Sequence, residues 1–508
     1  MKFNPFNSKK KMRTTKLFLM AALALTFAAC SNDDNEILAP EQPAPQAEGI
    51  PFTATISIGE SAATRALEES GGDLVASWAV GEKVALIHNG VNDEMEVVSV
   101  SGGLAIISGT LRVTPSDGDD VTVIYPSSAA ADDATGNVKP DLLYAQNGGT
   151  LADVAANYEV RKGTGTLSVD GGTATLDGDV SLDNQFSIFK FTLTDGSDPI
   201  AATSFTFIYG EQDYVVTPGS PKSELYVALP DLTASTYFFI AEAGSDSYIA
   251  KATVSAATSA GKYYQVPVSM TKRKEVNLRW SDDYTAQNGD ILTDNCYPSA
   301  KISIADGAIV TLKDLNINYD AGETPALTLL GDATIILENE NIVKCYGEDA
   351  PGPREPGIYV PAGKTLTIGG TGSLTAKGRT GIGAYDEHTC GNIIICGGTI
   401  IATGYDGAGI GGCYGGNCGN ITISGGTVTA TADKFDDDST SSHAAGIGSG
   451  SGASCGYITI TAGVTSVTAT KQGEAPNSIG AGNGGSCAGV TIGGVEGAIT
   501  KSPYTYKP

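Results

Sequence analysis

Between Ile50 and Met270 apolar and polar positions alternate in short runs, among them "FTATISI", "KVALIH", "MEVVSVS", "VTVIY", "IFKFTLT", "SFTFIYG", "STYFFIAEA" and "YYQVPVSM". Clusters of Gly, Asp, Asn, Ser and Pro bound each run. A period of two with such punctuation predicts half-buried strands. Helical spacing is scarce, and "DLLYAQNGGTLADVAANY" is the best candidate for a short helix or lid. Residues 50–272 are expected to form one large or two small β-sandwiches, divided near residue 165.

Past residue 276 the pattern changes to a repeat. "GIGAYDEHTCGNIIICGGTI", "GIGGCYGGNCGNITISGGTV", "GIGSGSGASCGYITITAGVT" and "SIGAGNGGSCAGVTIGGVEG" begin at Gly381, Gly409, Gly446 and Ser478. Ile382, Ile410, Ile447 and Ile479 each precede a cysteine by eight residues: Cys390, Cys418, Cys455 and Cys487. Three residues further on comes an apolar-x-apolar triplet, such as Ile421-Thr422-Ile423. Weaker copies lie upstream, in "GIYVPAGKTLTIGGTGSLTA" and "AKISIADGAIVTLKDLNI". Each unit has three short strand-like pieces with glycines at the corners. One unit cannot bury its own apolar side, so units must stack on one another.

The expected architecture is all-β: an N-terminal β-sandwich region, then a right-handed parallel β-helix solenoid over residues 276–498 and a tail over 499–508. Ile421 and Ile423 should face inward, and Thr422 outward. About seven coils rising about 4.8 Å each would make a rod about 30 Å long. The four repeated cysteines should stand in one file. Packed free thiols are favoured over disulfides there, because directly stacked side chains have nearly parallel Cβ vectors. Disulfides stay open in an exported protein. Cys396 falls in an outward register. Cys413 and Cys418 lack the spacing and second pair of a zinc site.

The amino terminus adds localisation. "KKKMRTTK" followed by "LFLMAALALTFAA" reads as a signal peptide over residues 1–29, and the apolar run is short for a membrane span. "LTFAAC" resembles a bacterial lipobox, with Cys30 as the lipidated residue of a protein anchored to the outer membrane. Residues 31–49, beginning "SNDDNE", are rich in Pro, Ala, Gln and Glu and should be a disordered tether. The chain holds 31 Lys+Arg against 57 Asp+Glu; without residues 1–29 the balance is 25 against 57, a net charge near −32. Such a surface repels phosphate backbones, which argues against nucleic acid as a partner.

"ATRALEESGGDLVASWAVGEKVALI", with Thr64-Arg65 and Trp78, and the closing "GKYYQVPVSM" resemble the fimbrillin family of Bacteroidia, lipoprotein pilins and their accessory subunits. The resemblance covers about 220 residues. It implies pilus subunits as partners and a protease cut after Arg65 that exposes a groove for strand exchange; the competing reading of Arg65 is a loop residue without a role. One departure matters. Shaft subunits end in strands given to a neighbour, whereas this chain continues for more than 230 residues, which favours a tip-like or stand-alone surface protein. The C-terminal repeats resemble β-helical regions of gut-bacterial surface proteins, some classed as carbohydrate-binding. The joint "SMTKRKEVNLRW" reads as a solvated linker.

Candidate chemistry is sparse. His88, His388 and His443 are far apart, and zinc-protease, nucleophile-elbow and phosphate-loop motifs are missing. A non-enzymatic role without cofactor is expected, the alternative being a polysaccharide lyase or hydrolase on the β-helix. The "YDEHTC" loop, with Asp386, Glu387 and His388, reads as a surface loop. Asp436, Asp437 and Asp438 are weak calcium candidates. Outward threonines such as Thr422 and Thr459, with Tyr385, Tyr405 and Tyr414, are candidate contacts for host or dietary glycans. The expected function is a surface adhesin or pilus-associated subunit, with a ligand-free structural pilin as a further alternative.

Overall fold

The alternation of Phe52, Ala54 and Ile56 with polar neighbours gives strand Ile50–Ile58 one buried face. The computed structural model describes residues 49–58, 68–70, 73–75, 77–101, 103–279, 283–296, 300–319, 324–345, 355–434 and 443–508. Residues 1–48, with the expected signal peptide, Cys30 and nearly all of the expected tether, lie outside the described residues, as do Arg65 and Asp436, Asp437 and Asp438. Strand Ile50–Ile58 pairs antiparallel with Leu104–Leu111 on one edge and parallel with Thr173–Leu176 and Val180–Asn184 on the other. From Leu104–Leu111 the ladder runs through Val91–Ser101, Lys83–His88, Asp120–Tyr125 and Arg161–Asp170, which pairs back onto Thr173–Leu176 and Val180–Asn184. The sheet therefore closes on itself around Phe52, Ile56, Leu86, Met95, Ile107 and Leu182. Trp78 lies edge-on to Tyr125 within that core, with ring centroids 5.0 Å apart. A sandwich was the expectation for this part. Alternation specifies that one face is buried, and both a ring and a sandwich satisfy it.

The next sheets form a sandwich, to which Ala145–Gly148 contributes an edge strand ahead of the main run from Ser187. One sheet holds Ser187–Asp195 between Glu224–Leu229 and Tyr263–Ser269, with Asp198–Pro199 at its edge. The other is ordered Thr271–Lys272, Asp246–Val254, Ser235–Ala243, Ser204–Tyr209, Gln212–Pro218 and Ala145–Gly148. Phe189, Phe191, Phe205, Phe207, Tyr237 and Phe239 fill the space between them. The expected helix forms at Leu151–Asn157. Thr150 and Asp153 cap it reciprocally: Asp153 N–H donates to Thr150 Oγ1 at 3.1 Å, and Thr150 N–H donates to Asp153 Oδ2 at 3.0 Å. Val154 anchors it in the sandwich core. Among the described residues no helix is long and apolar enough to cross a membrane.

Beyond Arg273 the chain alternates between two parallel sheets. A narrow one stacks Tyr284–Ala286, Ile302–Ile304, Leu327–Leu329, Ile358–Tyr359, Ile382–Gly383, Ile410–Gly411, Ile447–Gly448 and Ile479–Gly480. A long one stacks, among others, Ile309–Tyr319, Thr365–Gly370, Asn392–Tyr405, Ile421–Asp433, Cys455–Ile460 and Cys487–Ile492. Inward files run across the circuits: Ile393, Ile421, Ile458 and Val490; Ile395, Ile423, Ile460 and Ile492. All eight are at most 5% exposed, and each buried aliphatic side chain contributes about 1.5–3 kcal/mol. The tail folds back, with Tyr504–Tyr506 antiparallel to Ser466–Thr470. That pairing occupies an edge the last circuit would leave open.

Two expectations fail here for tertiary reasons, and a third holds but gains a covering partner. The basic joint is not a solvated linker. The Arg273 side chain is 5% exposed and paired to Glu338, and its Nη2 donates to Thr311 Oγ1 at 3.2 Å. Cys396 does face outward, but the sandwich covers it, in a seam with Ile208, Phe238, Ile249, Ile309 and Ile336. The repeated cysteines are not all free: Cys455 and Cys487 are disulfide-bonded, their Cα atoms 4.4 Å apart. Stacking at the mouth of the strands brings these two backbones as close as a disulfide needs.

Candidate functional site

Stacked circuits carry stacked loops. Glu387 N–H donates to Tyr414 O at 2.8 Å, Gly415 N–H to Ser451 O at 2.9 Å and Gly452 N–H to Asn483 O at 2.7 Å. The loop at 385–389 is the first of this series, and around it five elements converge on one cluster.

Tyr359 ends a strand of the narrow sheet, in register with Gly383. Its ring lies 5.1 Å from that of Tyr385, which lies 4.0 Å from the His388 ring. His388 Nδ1 is 2.8 Å from the Asp386 carbonyl oxygen. A carbonyl only accepts, so Nδ1 carries the proton, and in the neutral ring Nε2 is left as an acceptor. Arg379 grips the Asp386 carboxylate with two nitrogens, Nε at 3.0 Å from Oδ1 and Nη2 at 2.7 Å from Oδ2. Such a fork holds the carboxylate in a defined plane.

Cys413, one circuit on, donates its thiol to Asp386 Oδ1 at 2.8 Å. Burial, and then the Asp386 charge, push that thiol far above its ordinary range. Cys413 is therefore a neutral hydrogen-bond donor and not a nucleophile. Glu355 lies beside these groups, half-buried. Burial pushes its carboxyl up to about 7, with Asp386 adding to the rise and His388 and Arg379 opposing it. Burial also pushes the Tyr359 phenol up to about 12, so it stays protonated as a donor. The cluster thus offers aromatic rings, a fixed carboxylate, an imidazole, and a carboxyl that gains or loses a proton near neutrality.

The sequence-predicted contacts separate into three places. Tyr385 is at the centre of the cluster. Tyr414 is 48% exposed on the next loop, and Tyr405 is half-buried beside Asp406, whose carbonyl oxygen lies 3.7 Å from Cys413 Sγ. Thr422 and Thr459 are elsewhere, in an outward file of the long sheet that includes Ile309, Thr334, Thr367 and Ile394. At the start of that file Thr334 is fully buried and accepts from Lys251 Nζ of the sandwich at 2.6 Å. Thr422 and Thr459 are half-buried and are not brought to the tyrosines. Glu355, Tyr359, Arg379 and Cys413 were not foreseen. They meet only because successive circuits stack, and the unequal circuit lengths hide this in the sequence. His88 is apart from the cluster, buried and 2.9 Å from Asp119 Oδ2. Among the described residues no group of three or more His, Cys, Asp and Glu is placed to hold a metal ion.

No family model matches the chain, and no curated protein matches it. Among solved structures it is similar to a fimbrial protein from Bacteroides ovatus, at 14% identity over 44% of this chain and 48% of that one, with a TM-score of 0.24. It is likewise similar to the tip fimbrial protein Mfa3 from Porphyromonas gingivalis, at 8% identity over 44% of this chain and 98% of that one, with a TM-score of 0.23.

Proposed function

We propose that this chain is a cell-surface lipoprotein adhesin, or a pilus-associated subunit, that presents a glycan-binding site on a right-handed parallel β-helix. In this reading Cys30 carries the lipid that anchors it to the outer membrane. The observation that carries the reading is the Tyr359–Tyr385–His388 ring series beside the Arg379–Asp386 pair. Sugars present apolar C–H faces and hydroxyl edges, and recognition takes an aromatic surface with fixed polar groups beside it. The pilus part rests on the sequence resemblance and on strand Ile50–Ile58. That strand is paired on both edges and buries Phe52, Ala54 and Ile56, so its departure after a cut at Arg65 would leave a groove ready for a donor strand.

A glycan array probed with the mature chain tests the binding. Wild type should label a defined set of glycans, and Tyr385→Ala should lose the signal by tenfold or more. No signal from wild type, together with incorporation into sheared fibres, would favour a structural pilin instead. One observation favours a second reading, hydrolysis or elimination on a polysaccharide. Glu355, with its carboxyl near neutrality beside Asp386, has the protonation behaviour of a general acid. Release of reducing or unsaturated ends by wild type but not by Glu355→Gln would establish that chemistry over simple adhesion.

A further inference from the structure

The file of four cysteines contains one bond, and the same geometry leaves a second pair facing each other. Cys390 N–H donates to Asn417 O at 2.7 Å, and Cys390 O accepts from Gly419 N–H at 3.0 Å. In a parallel ladder those two bonds set Cys390 directly opposite Cys418. Cys418 bonds to Ser454 O at 2.8 Å and to Gly456 N–H at 2.9 Å, which sets it opposite Cys455. Cys455 is in register with Cys487 and bonded to it. Neighbours in such a file are about 4.8 Å apart. The file starts at Cys390, because the preceding circuit presents Pro361 there.

Cys455 is already taken, so within the file Cys390 and Cys418 have only each other. Both are buried, at 1% and 5% exposure. Cys390 Sγ also donates to Gly391 O at 3.3 Å, and the remaining described thiols, Cys296, Cys345, Cys396 and Cys413, stand outside the file. We propose that Cys390 and Cys418 are a second oxidation site and close into a disulfide, so that the four circuits are stapled in two pairs. Two S–H bonds break and one S–S bond forms. The two electrons and two protons pass to a disulfide-donating thiol oxidase of the exported compartment, whose own disulfide is reduced to a dithiol. The Cys418 contact and burial hold the Cys390 thiol well above its ordinary range once folded, so the bond closes while the circuits assemble.

The staple has a defined place. Cys390 ends the loop that carries Tyr385, Asp386 and His388, and Cys418 ends the loop that carries Cys413 and Tyr414. It would fix the separation of the two loops that build the cluster, and it stands whether or not that cluster binds a glycan.

The test is disulfide mapping on the mature full-length chain, exported into an oxidising compartment and purified without reductant. Free thiols are blocked with N-ethylmaleimide under denaturing conditions, and unreduced peptides are then read by mass spectrometry. The expected result is Cys390–Cys418 and Cys455–Cys487 cross-links, with Cys413 alkylated. Alkylation of both Cys390 and Cys418, or a Cys418–Cys455 cross-link, would overturn the proposal. Cys418→Ser should leave Cys390 alkylated and Cys455–Cys487 intact, and Cys455→Ser should free Cys487 and keep Cys390–Cys418. Capture of Cys390 by a cysteine outside the file in Cys418→Ser would refute the pairing. The wild-type map decides the matter even if neither variant folds.

Discussion

Gly411 is one of the corners where stacked circuits leave no room for a side chain. Its φ is +131°, and a Cβ built there would lie 1.9 Å from the carbonyl oxygen of Gly448 in the next circuit. That oxygen is backbone, and it also accepts from Gly412 N–H at 2.9 Å. Gly411→Ala would force the two circuits about 1 Å apart or more, since ordinary carbon contacts begin well above 3 Å. A lost, buried backbone hydrogen bond costs about 1–3 kcal/mol, and an L residue held at this φ costs a further 1–3 kcal/mol or so. The expected total is about 4 kcal/mol. Two other glycines separate the terms. Gly480 has a similar φ, +139°, but its nearest neighbours, the Cβ atoms of Ala498 and Asn477, would lie 3.1 and 3.2 Å from the added carbon, so only a small shift is needed. Gly452 has φ +69° and nothing within 4 Å, so Ala there should cost only about 1 kcal/mol. Urea unfolding followed by far-ultraviolet circular dichroism should rank the losses Gly411→Ala, then Gly480→Ala, then Gly452→Ala. Equal losses at Gly411 and Gly452, within about 1 kcal/mol, would show that the steric argument is wrong.

Other consequences are as direct. Reducing Cys455–Cys487, which closes a loop of 32 residues, should lower stability by about 3.7 kcal/mol on the loop-entropy model, read as a drop in urea midpoint on adding reductant. Arg273→Met leaves Glu338 with only the more exposed Lys313, 3.5 Å away, and should cost about 2 kcal/mol, with the urea transition splitting as the sandwich separates from the parallel sheets; one unshifted transition would refute this. The Glu355 carboxyl is raised in the folded chain, so its contribution is fully present below the ordinary carboxylate range and is lost as pH rises through about 7. Melting temperature should therefore fall less between about pH 5 and pH 8 in Glu355→Gln than in wild type, and parallel curves would place the carboxyl in ordinary solvent.

The cluster marks the boundary of what was legible. Tyr385 was recognisable because a tyrosine in a loop of a repeat has few structural duties. Arg379 and Cys413 were not, because nothing local distinguishes them; each acquires its role from Asp386, on a different loop. The half-buried position of Glu355 follows from the circuits around it and leaves no trace in its neighbours along the chain.

By itself the sequence determined the stacking. A constant eight-residue step from Ile382, Ile410, Ile447 and Ile479 to the next cysteine, followed by an alternating triplet, forces equivalent residues into one phase, since strand side chains have a period of two. It equally determined the short helix, through Thr150 and Asp153. Only the tertiary structure decided what each face meets. The first strands closed into a ring where facing sheets satisfied the same alternation. The sandwich settled over Thr334 and Cys396 and buried Arg273 against Glu338. The cysteine file formed one bond because two strand mouths approached within 4.4 Å. Periodicity is a property of neighbours along the chain, whereas the covering of a face and the meeting of charges depend on distances between segments that no local pattern encodes.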